Sequence, residues 1–406
     1  MLTWIAPLIV FGLVVFVHEL GHFLAAKAVG VYAPRFSVGF GPALWKRRVG
    51  ETEYVLALLP LGGYVRMASR EDETMALIEG GGEKPPGELT TTSANASIKT
   101  VEDHAGAPAA DRDWDPEAMY PFGPRPVPEH RWFESKSLAA RLFILIAGVT
   151  MNVLLTLGVS IGVVAGYGRT YVPAVVDSVL AGRPAALAGV RPGDSVVAVN
   201  GEPVRTWSEL LEQIRPRSGQ ELALDVVRAG APQRIIVRPR LTNTENPTTG
   251  AAESVGQIGA APRARVVRER VGFADAVAIG AANTYEMGTS VLSVLRGLFA
   301  GTVDASNLGG PIAIAQTSVE AARLGGESFL SLIAFLSINI AIMNLLPIPV
   351  LDGGQILINV LEGVKGSAFS ARTREYILRT GVLAVLLLFA LVMYNDLRAL
   401  VSKLLG

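Results

Sequence analysis

Four long apolar segments organise this chain and predict four membrane-spanning helices. They run from Leu2 to about Ala26, Leu142 to Val164, about Phe329 to Leu346, and about Val382 to Tyr394. A helix that crosses a bilayer needs about 20 predominantly apolar residues. The first three segments approach or exceed this length, and the fourth does so only if it begins near Tyr376. The pattern predicts an α-helical polytopic membrane protein.

A fifth segment, Val271 to Ala300, is apolar but interrupted by Asp275, Glu286 and Arg296. Charged side chains at bilayer depth are costly. We therefore expect an amphipathic helix that lies against the membrane or a neighbouring domain. A true fifth span is the alternative.

Short β-like and helical runs alternate between Val172 and about Arg240, and they predict a compact α/β domain between the second and third spans. The predicted elements are a strand at Pro173–Val179, a short helix at Pro184–Ala188, a strand at Ser195–Val199, a helix capped by Ser208 and ending near Ile214, and a hairpin of Glu221–Arg228 with Gln233–Arg240. Two further runs, Arg35–Gly41 and Glu53–Val65, predict a small sheet or re-entrant hairpin after the first span, with a plain loop as the alternative.

Composition agrees with a membrane protein and excludes some classes. The chain has 406 residues, of which 50% are hydrophobic and 18% charged, which is too apolar for an ordinary soluble protein. Lys and Arg number 36, as do Asp and Glu, and no polybasic cluster indicates nucleic-acid binding. There is no cysteine, which excludes disulfides and thiolate metal sites.

Basic residues cluster after the first span, before the second, and between the third and fourth. Such clusters favour the cytoplasmic side. We expect residues 165–328 to lie outside the cytoplasm. The polar stretch from Arg70 to His130 is rich in Pro, Gly, Ser and Thr and predicts a flexible cytoplasmic insert.

The chemistry lies in His18-Glu19-Leu20-Gly21-His22, at the end of the first apolar segment. On a helix, His18 and His22 share one face and can bind one metal ion, while Glu19 can act on a metal-bound water. A chance match in a soluble helix is disfavoured by the apolar flanks, since burying these groups without a purpose is costly. A signal peptide is disfavoured by the lack of a basic N-terminal region. The motif predicts a zinc hydrolase.

A catalytic zinc ion usually has three protein ligands, so a third ligand is expected. The other histidines, His104 and His130, lie in the polar insert. The best candidate is Asp352, in Asn-Leu-Leu-Pro-Ile-Pro-Val-Leu-Asp-Gly-Gly, because its prolines break a helix at the depth where the histidines leave the first span. A helix cap for Gln355–Val360 is the alternative role of Asp352. Glu362 and Asp396 are rival ligands.

Together these motifs resemble the site-2 proteases, zinc metalloproteases that cut within the membrane, and most closely the bacterial regulator-of-sigma-E protease subgroup. The run from Ala188 to Gly201 resembles the core of a PDZ domain. The resemblance implies that His18, His22 and Asp352 hold Zn²⁺ and that Glu19 is the catalytic base. It implies that Asn339 and Asn344 hold the substrate backbone, and that the stretch Glu53–Val65 offers a β-edge to an unwound substrate. Leu308 to Ile312 resembles the segment that precedes a late span. The long insert and the single PDZ unit depart from some members.

The expected function is cleavage of transmembrane segments of single-span proteins in the bacterial inner membrane, either an anti-sigma factor or signal-peptide remnants, with the PDZ domain extracytoplasmic. The partners are this substrate and the lipid bilayer. The alternative is an inactive membrane PDZ scaffold with a structural metal; a transporter is disfavoured because the spans show no internal symmetry. The predicted divisions are residues 1–29, 30–69, 70–137, 138–166, 171–241 (PDZ), 242–325, 326–362, 363–381 and 382–406.

Overall fold

The computed structural model describes residues 2–68, 129–245, 252–304 and 309–405. Most of the predicted insert, including His104, lies outside these residues, as does Leu308. Within the described residues, four helices are long and apolar enough to cross a membrane. They are α1 (Leu2–Ala28), α2 (Leu138–Tyr167), α7 (Gly326–Asn344) and α9 (Ala371–Leu405). The prediction of a polytopic membrane protein with a β-rich part is confirmed.

The fourth helix is longer than the apolar run that predicted it. Helix α9 begins at Ala371, and its first turns contain Glu375 and Arg379, which form an ion pair one turn apart on the exposed surface. Such i,i+4 pairs support a helix where hydrophobic periodicity gives no signal. The apolar run therefore located the span, but it was shorter than the helix that contains it.

The chain forms two compact units. The first contains the described residues between 5 and 152 and those between 343 and 385; the second contains residues 2–4, the described residues between 153 and 342, and those from 386 onwards.

A folded sheet dominates the polar part of the first unit. Strands β1 (Arg35–Val49) and β2 (Thr52–Arg66) each bend, and their pairing gives four strand segments in the order 45–49, 52–56, 35–38 and 63–66. The bend in β1 occurs where Gly39 and Gly41 have φ values of 94° and 88°, a region that favours glycine. Segment 63–66 is an edge, since no other described strand pairs with it.

Helix α1 packs on this sheet through aromatic side chains. Phe23 and Phe36 are buried, with ring centroids 5.2 Å apart, and Tyr54 lies 5.9 Å from Phe23. A short 3₁₀ turn, Glu129–Arg131, then leads to α2. This unit also contains α8 (Asp352–Lys365), which follows the Pro-rich turn. The sheet is therefore anchored beside the helix that carries the histidine motif.

The second unit contains a β-rich domain with its own hydrophobic core. A four-stranded sheet has the order β6 (Glu202–Pro203), β5 (Ser195–Val199), β7 (Leu222–Arg228) and β8 (Ala231–Val237). The other strands pair as β4 (Val176–Val179) with β11 (Ala260–Pro262), β9 (Arg240–Glu245) with β10 (Ala252–Gln257), and β3 (Arg169–Tyr171) with β12 (Val267–Glu269). The core extends past residue 241, the predicted end of the domain, because Ile258 belongs to the same buried cluster.

Helices close this core. Helix α3 (Pro184–Leu187) is one turn, and α4 (Trp207–Ile214) buries Trp207, Leu210 and Ile214. The prediction that Ser208 caps α4 is wrong. Thr206 is the cap: its hydroxyl accepts a hydrogen bond from the Glu209 N–H at 3.1 Å, and the Glu209 carboxylate accepts one from the Thr206 N–H at 3.2 Å. Thr-Trp-Ser-Glu is a capping-box sequence, in which the apolar Trp207 is already helical.

Two more helices precede α7. Helix α5 (Phe273–Phe299) occupies the segment predicted to be amphipathic, and it is not among the four candidate spans. Gly280 of α5 lies close to α2, since a methyl group added there would be 2.7 Å from a side-chain atom of Ile161. Helix α6 (Pro311–Leu324) begins after Gly310. Small residues thus allow α5 to approach the second long helix.

Candidate active site

The side chains of His18, His22 and Asp352 meet at one point. The two Nε2 atoms are 3.1 Å apart, and Asp352 Oδ2 lies 3.2 Å from His18 Nε2 and 3.4 Å from His22 Nε2. Tetrahedral zinc with ligand bonds of about 2.0–2.1 Å separates neighbouring ligand atoms by about 3.3 Å. The three atoms therefore have the spacing of three corners of a zinc tetrahedron. Among the described residues, they form the one group of His and acidic side chains arranged for a metal.

His22 is oriented by the second long helix. Its Nδ1 lies 2.9 Å from the carbonyl oxygen of Ile144. A carbonyl oxygen only accepts hydrogen bonds, so Nδ1 carries the proton and Nε2 keeps its lone pair for a metal. Fixing the tautomer of a ligating histidine in this way is a common second role of the protein around a metal.

A glycine on the same helix makes room for this imidazole. A methyl group added to Gly148 would lie 2.3 Å from His22 Nε2, well inside van der Waals contact. At the adjacent pair of residues, a methyl group on Gly21 would lie 2.4 Å from the carbonyl oxygen of Ala147. Helices α1 and α2 therefore approach closely because both present glycine at the crossing.

Glu19 lies near both the three candidate ligands and the sheet edge. Its carboxyl group interacts electrostatically with His18, His22 and Asp352. A methyl group added to Gly63 would be 3.3 Å from Glu19 Cγ, so the edge segment 63–66 passes beside this side chain. A carboxyl group here can accept a proton near the ligand cluster, and an extended peptide paired with the edge would pass the same place.

Asp352 is held by a tight backbone turn. Methyl groups on Gly353 and Gly354 would lie 2.2 Å from the Leu345 carbonyl oxygen and 2.1 Å from the Ile348 carbonyl oxygen. Gln355 closes the turn, because its Nε2 donates a hydrogen bond to the Pro349 carbonyl oxygen at 2.7 Å. The alternative that Asp352 caps the next helix is not supported, since Leu351 is the N-cap and Asp352 is already helical.

The two asparagines lie in different surroundings. Asn344 Nδ2 is 3.1 Å from His18 Nε2, so this amide adjoins the ligand cluster. Asn339 Nδ2 donates to the Phe335 carbonyl oxygen at 2.7 Å, within helix α7. The structure therefore places Asn344 beside the cluster and gives Asn339 a contact within its own helix.

The rival ligands have other partners. Glu362 is buried and receives hydrogen bonds from Arg374 Nη2 at 2.7 and 2.8 Å and from the Phe369 N–H at 2.8 Å. Asp396 accepts from the backbone N–H groups of Gly310, Ile312 and Ala313 at 2.8, 2.8 and 3.2 Å. Both carboxylates are used structurally, so neither competes with Asp352. His130 is exposed and is not part of the cluster.

The donor set fits zinc. Two imidazole nitrogens and one carboxylate oxygen are ligands that catalytic zinc sites use, and three protein ligands leave a fourth position for water or substrate. Asp352 Oδ2 is buried without a hydrogen bond. A buried carboxylate oxygen without a donor is costly, and a metal ion at this point removes the cost.

Comparison with known proteins agrees with this arrangement. The family model described as Peptidase family M50 matches residues 6–388. The chain belongs to peptidase family M50. The predicted resemblance to an intramembrane metallopeptidase family is therefore confirmed, and this membership identifies the chain as an enzyme of peptidase type.

Relatives align over nearly the whole chain. The regulator of sigma-W protease RasP of Bacillus subtilis is 30% identical over 98% of this chain and 99% of its own length. The zinc metalloprotease RasP of Geobacillus kaustophilus is 30% identical over 97% of both chains. The regulator of sigma-E protease RseP of Salmonella typhimurium is 30% identical over 96% of this chain and 97% of its own. Zinc, the predicted cofactor, is the metal that one of these names specifies.

Several residues that shape the site were not predicted. They act through the backbone or through a missing side chain: Gly21, Gly63, Ile144, Gly148 and Gln355. A glycine inside an apolar helix, as at Gly148, is a weak sequence signal for close packing. The carbonyl group of Ile144 leaves no signal in sequence at all.

Proposed function

We propose that this chain is a zinc-dependent intramembrane protease that cuts transmembrane segments of single-span membrane proteins. The observation that carries the proposal is that Asp352 of α8 meets His18 and His22, with Glu19 beside them, on a helix, α1, that is apolar enough to cross a bilayer. His18 and His22 provide Nε2 and Asp352 provides Oδ2. When bound there, zinc supplies Lewis-acid chemistry, making water more acidic and a peptide carbonyl more electrophilic.

The chain's own residues supply the remaining chemistry. Glu19 takes a proton from the attacking water and delivers it to the leaving amine, which is general base and then general acid catalysis. The Ile144 carbonyl oxygen accepts a hydrogen bond from His22 Nδ1, so the proton stays on Nδ1 and the lone pair of Nε2 stays available to a metal. Asn344 Nδ2 lies 3.1 Å from His18 Nε2. If His18 Nε2 held a metal, this amide would be free to bind a substrate backbone.

The edge segment 63–66 suits an unwound substrate. A peptide bond within a helix has its carbonyl group hydrogen-bonded, so the substrate must become extended before hydrolysis. An unpaired strand edge binds an extended chain by β-augmentation. Because Gly63 adjoins Glu19, a strand added at this edge would bring its peptide bonds to the base.

The positions of the basic clusters support a cytoplasmic location for this sheet and an extracytoplasmic location for the β-rich domain, in a bacterial inner membrane. The Ala188–Gly201 pattern and the hydrophobic core that α3 and α4 share with the four-stranded sheet support the PDZ assignment. We propose an anti-sigma factor or a signal-peptide remnant as substrate. The names of the relatives, which refer to regulation of sigma factors, support the first of these.

The test separates metal binding from chemistry. Purified wild-type protein should carry one zinc ion and cut a reconstituted single-span substrate. Glu19→Gln should retain zinc and lose about 10²–10⁴-fold in rate, the usual contribution of acid–base catalysis. Asp352→Asn should lose zinc and activity together. Glu375→Gln, an exposed change on α9, is the control and should match wild type.

The competing function is a membrane scaffold with a structural or absent metal. It predicts that wild type and Glu19→Gln are equally inactive on every single-span substrate and leave identical membrane proteomes. The protease predicts that single-span fragments accumulate in cells that carry Glu19→Gln, and these fragments identify the substrate.

A further inference from the structure

Helix α2 contacts both chain segments that carry metal ligands, and it does so from one face. The carbonyl oxygen of Ile144 accepts a hydrogen bond from His22 Nδ1. One turn earlier, Arg141 Nη1 donates to Asn359 Oδ1 of helix α8 at 2.8 Å. Residues three apart on a helix are neighbours on its surface. One short stretch of α2 therefore holds His22 on α1 and also holds the helix that starts with Asp352.

The contact at Asn359 continues to the metal-ligand end of α8 through side chains. Asn359 Nδ2 donates to the Gln355 carbonyl oxygen at 2.7 Å, and Gln355 Nε2 donates to the Pro349 carbonyl oxygen at 2.7 Å. Asp352 lies in the turn between Pro349 and Gln355. A line of hydrogen bonds thus runs from Arg141 along one side of α8 to the turn that positions the carboxylate ligand.

A buried carboxylate anchors the other end of this line. Glu362 lies one turn beyond Asn359 and accepts hydrogen bonds from Arg374, and Arg141 Nη1 is 4.0 Å from Glu362 Oε2. The Glu362 side chain is 4% exposed and the Arg141 side chain 14% exposed. Ion pairs on the surface contribute little, but breaking a buried one leaves an uncompensated charge. Arg141 therefore makes fixed contacts rather than solvent-averaged ones.

We infer that Arg141 is a positioning residue of the active site, which sets the place of Asp352 relative to His22 through Asn359. The inference rests on the proposed function, since it concerns the zinc ligands. Arg141 belongs to the basic cluster that precedes the second span, and the sequence pattern alone gives this cluster only a role in membrane orientation. The inference adds a second role for this residue.

The test uses the full chain in detergent and measures metal binding as well as activity. Arg141→Gln removes the positive charge. Arg141→Lys keeps the charge but replaces the guanidinium group with a smaller ammonium group. Zinc affinity is measured by chelator competition, and the zinc-free protein is followed by thermal unfolding. Co²⁺ substitution adds a spectroscopic readout, since its visible absorption depends on coordination geometry. Arg379→Gln, which breaks the exposed ion pair on α9, is the matched control.

We expect Arg141→Gln to weaken zinc binding by roughly 10- to 100-fold, the range seen when residues that orient metal ligands are changed. Its Co²⁺ spectrum should differ from that of wild type, and Arg141→Lys should lie between the two. Arg379→Gln should match wild type in both. Asn359→Leu should weaken zinc binding to the same extent. The double variant with Arg141→Gln should bind zinc no more weakly than either single variant, because both changes remove the same contact between Arg141 and Asn359.

Two results would overturn the inference. One is a folded Arg141→Gln protein with wild-type zinc affinity and an unchanged Co²⁺ spectrum. The other is a loss of zinc affinity that is fully additive with that of Asn359→Leu. If Arg141→Gln does not fold, Arg141→Lys takes its place. Wild-type zinc affinity in that variant, or a loss that is fully additive with that of Asn359→Leu, would then overturn the inference. Failure of the proposed function is distinct, because wild-type protein would then cut no single-span substrate, whatever its zinc content.

Discussion

The imidazole of His22 occupies the space in which residue 148 would place a side chain. A methyl group on Gly148 would come within 2.7 Å of His22 Cε1 and 2.8 Å of His22 Cδ2 as well as contacting Nε2. The ring is therefore enclosed by the backbone of α2 on one side and bound to Ile144 on another. The position of this candidate metal ligand therefore depends on the separation of two helices.

Gly148→Ala should move His22 or push the helices apart. We expect zinc affinity to fall by about 10- to 100-fold, the usual effect of disturbing the groups around a metal ligand. Chelator competition on purified protein measures the change. The control is Gly158→Ala on the same helix, where an added methyl group meets nothing within 4 Å. Equal zinc affinity in the two variants would show that the close approach at residue 148 does not constrain His22.

Asp396 should contribute to stability rather than to metal binding. Its carboxylate accepts three backbone N–H groups at the start of α6, and Asp396→Ala leaves these donors without a protein partner. An unsatisfied buried donor costs about 1–3 kcal/mol. The free energy of unfolding in detergent should fall by at least about that amount while zinc content stays at the wild-type level. Glu320→Gln, an exposed change on α6, is the control, and loss of zinc from Asp396→Ala at full stability would contradict the assignment.

The β-rich domain should lose stability in acid through Asp194. Burial raises the pKa of this carboxyl group, but hydrogen bonds from Arg228 and the Arg191 N–H, with their positive charges, hold it below its ordinary value. A carboxyl group with a lowered folded-state pKa stabilises the fold above the unfolded-state pKa of about 3.9. That contribution is lost as pH falls from about 4 through the folded-state pKa.

Hydrogen exchange of strands β5 and β7 measures this dependence. In wild type, protection should decline below about pH 4 after correction for intrinsic exchange rates. Asp194→Asn should show lower protection at neutral pH and a smaller decline in acid. Asp177→Asn removes an exposed ion pair with Arg263 and should behave as wild type. Identical acid profiles for wild type and Asp194→Asn would exclude the pair as the cause.

The membrane orientation can be tested with reporter fusions. A reporter at Ala231 should report the extracytoplasmic side, and one within residues 79–108 should report the cytoplasm, since the basic clusters flank the second location. The paired fusions control for each other because they use one host chain. Reports from the same side would mean that α2, the candidate span between the two positions, does not cross the membrane.

The PDZ-like domain should select substrates rather than take part in hydrolysis. If it lies outside while the zinc ligands lie toward the cytoplasm, deletion of residues 173–240 should leave zinc bound and allow untrimmed substrates to be cut. Cleavage of full-length and pre-trimmed forms of one substrate measures the change. A folded, zinc-loaded deletion variant that cuts neither form would instead make the domain necessary for productive binding.

Sequence alone located the spans and the ligand motif because both depend on patterns within one segment. The histidines share a helix face at a spacing of four, and apolar runs of membrane length are recognised by composition. Asp352 required an argument about depth and about the absence of other ligands. The family match supports the overall identification, while the roles of the individual site residues remain predictions.

What could not be predicted depends on neighbours that are distant in the chain. Gly148 has meaning only because His22 lies over it, and Arg141 only because Asn359 faces it. The cap of α4 was misplaced for a different reason: Ser208 is a favourable cap, but the Thr206–Glu209 pair satisfies two backbone groups reciprocally and so is preferred. The glycine-dependent bend of β1, which gives the sheet its four segments, depends on local conformation that hydrophobic alternation does not report.

The proposed ligands His18 and His22 precede the proposed ligand Asp352 by more than 300 residues, and this separation matters during biosynthesis. When a ribosome has inserted α1 and α2, both histidines and the Ile144 contact are already in the membrane, but Asp352 has not been made. Such a nascent protein has an incomplete ligand set and cannot yet hold the metal as the finished protein does. We therefore expect proteolytic competence to arise only after α8 has been made, which would protect other newly inserted membrane proteins from an incomplete protease.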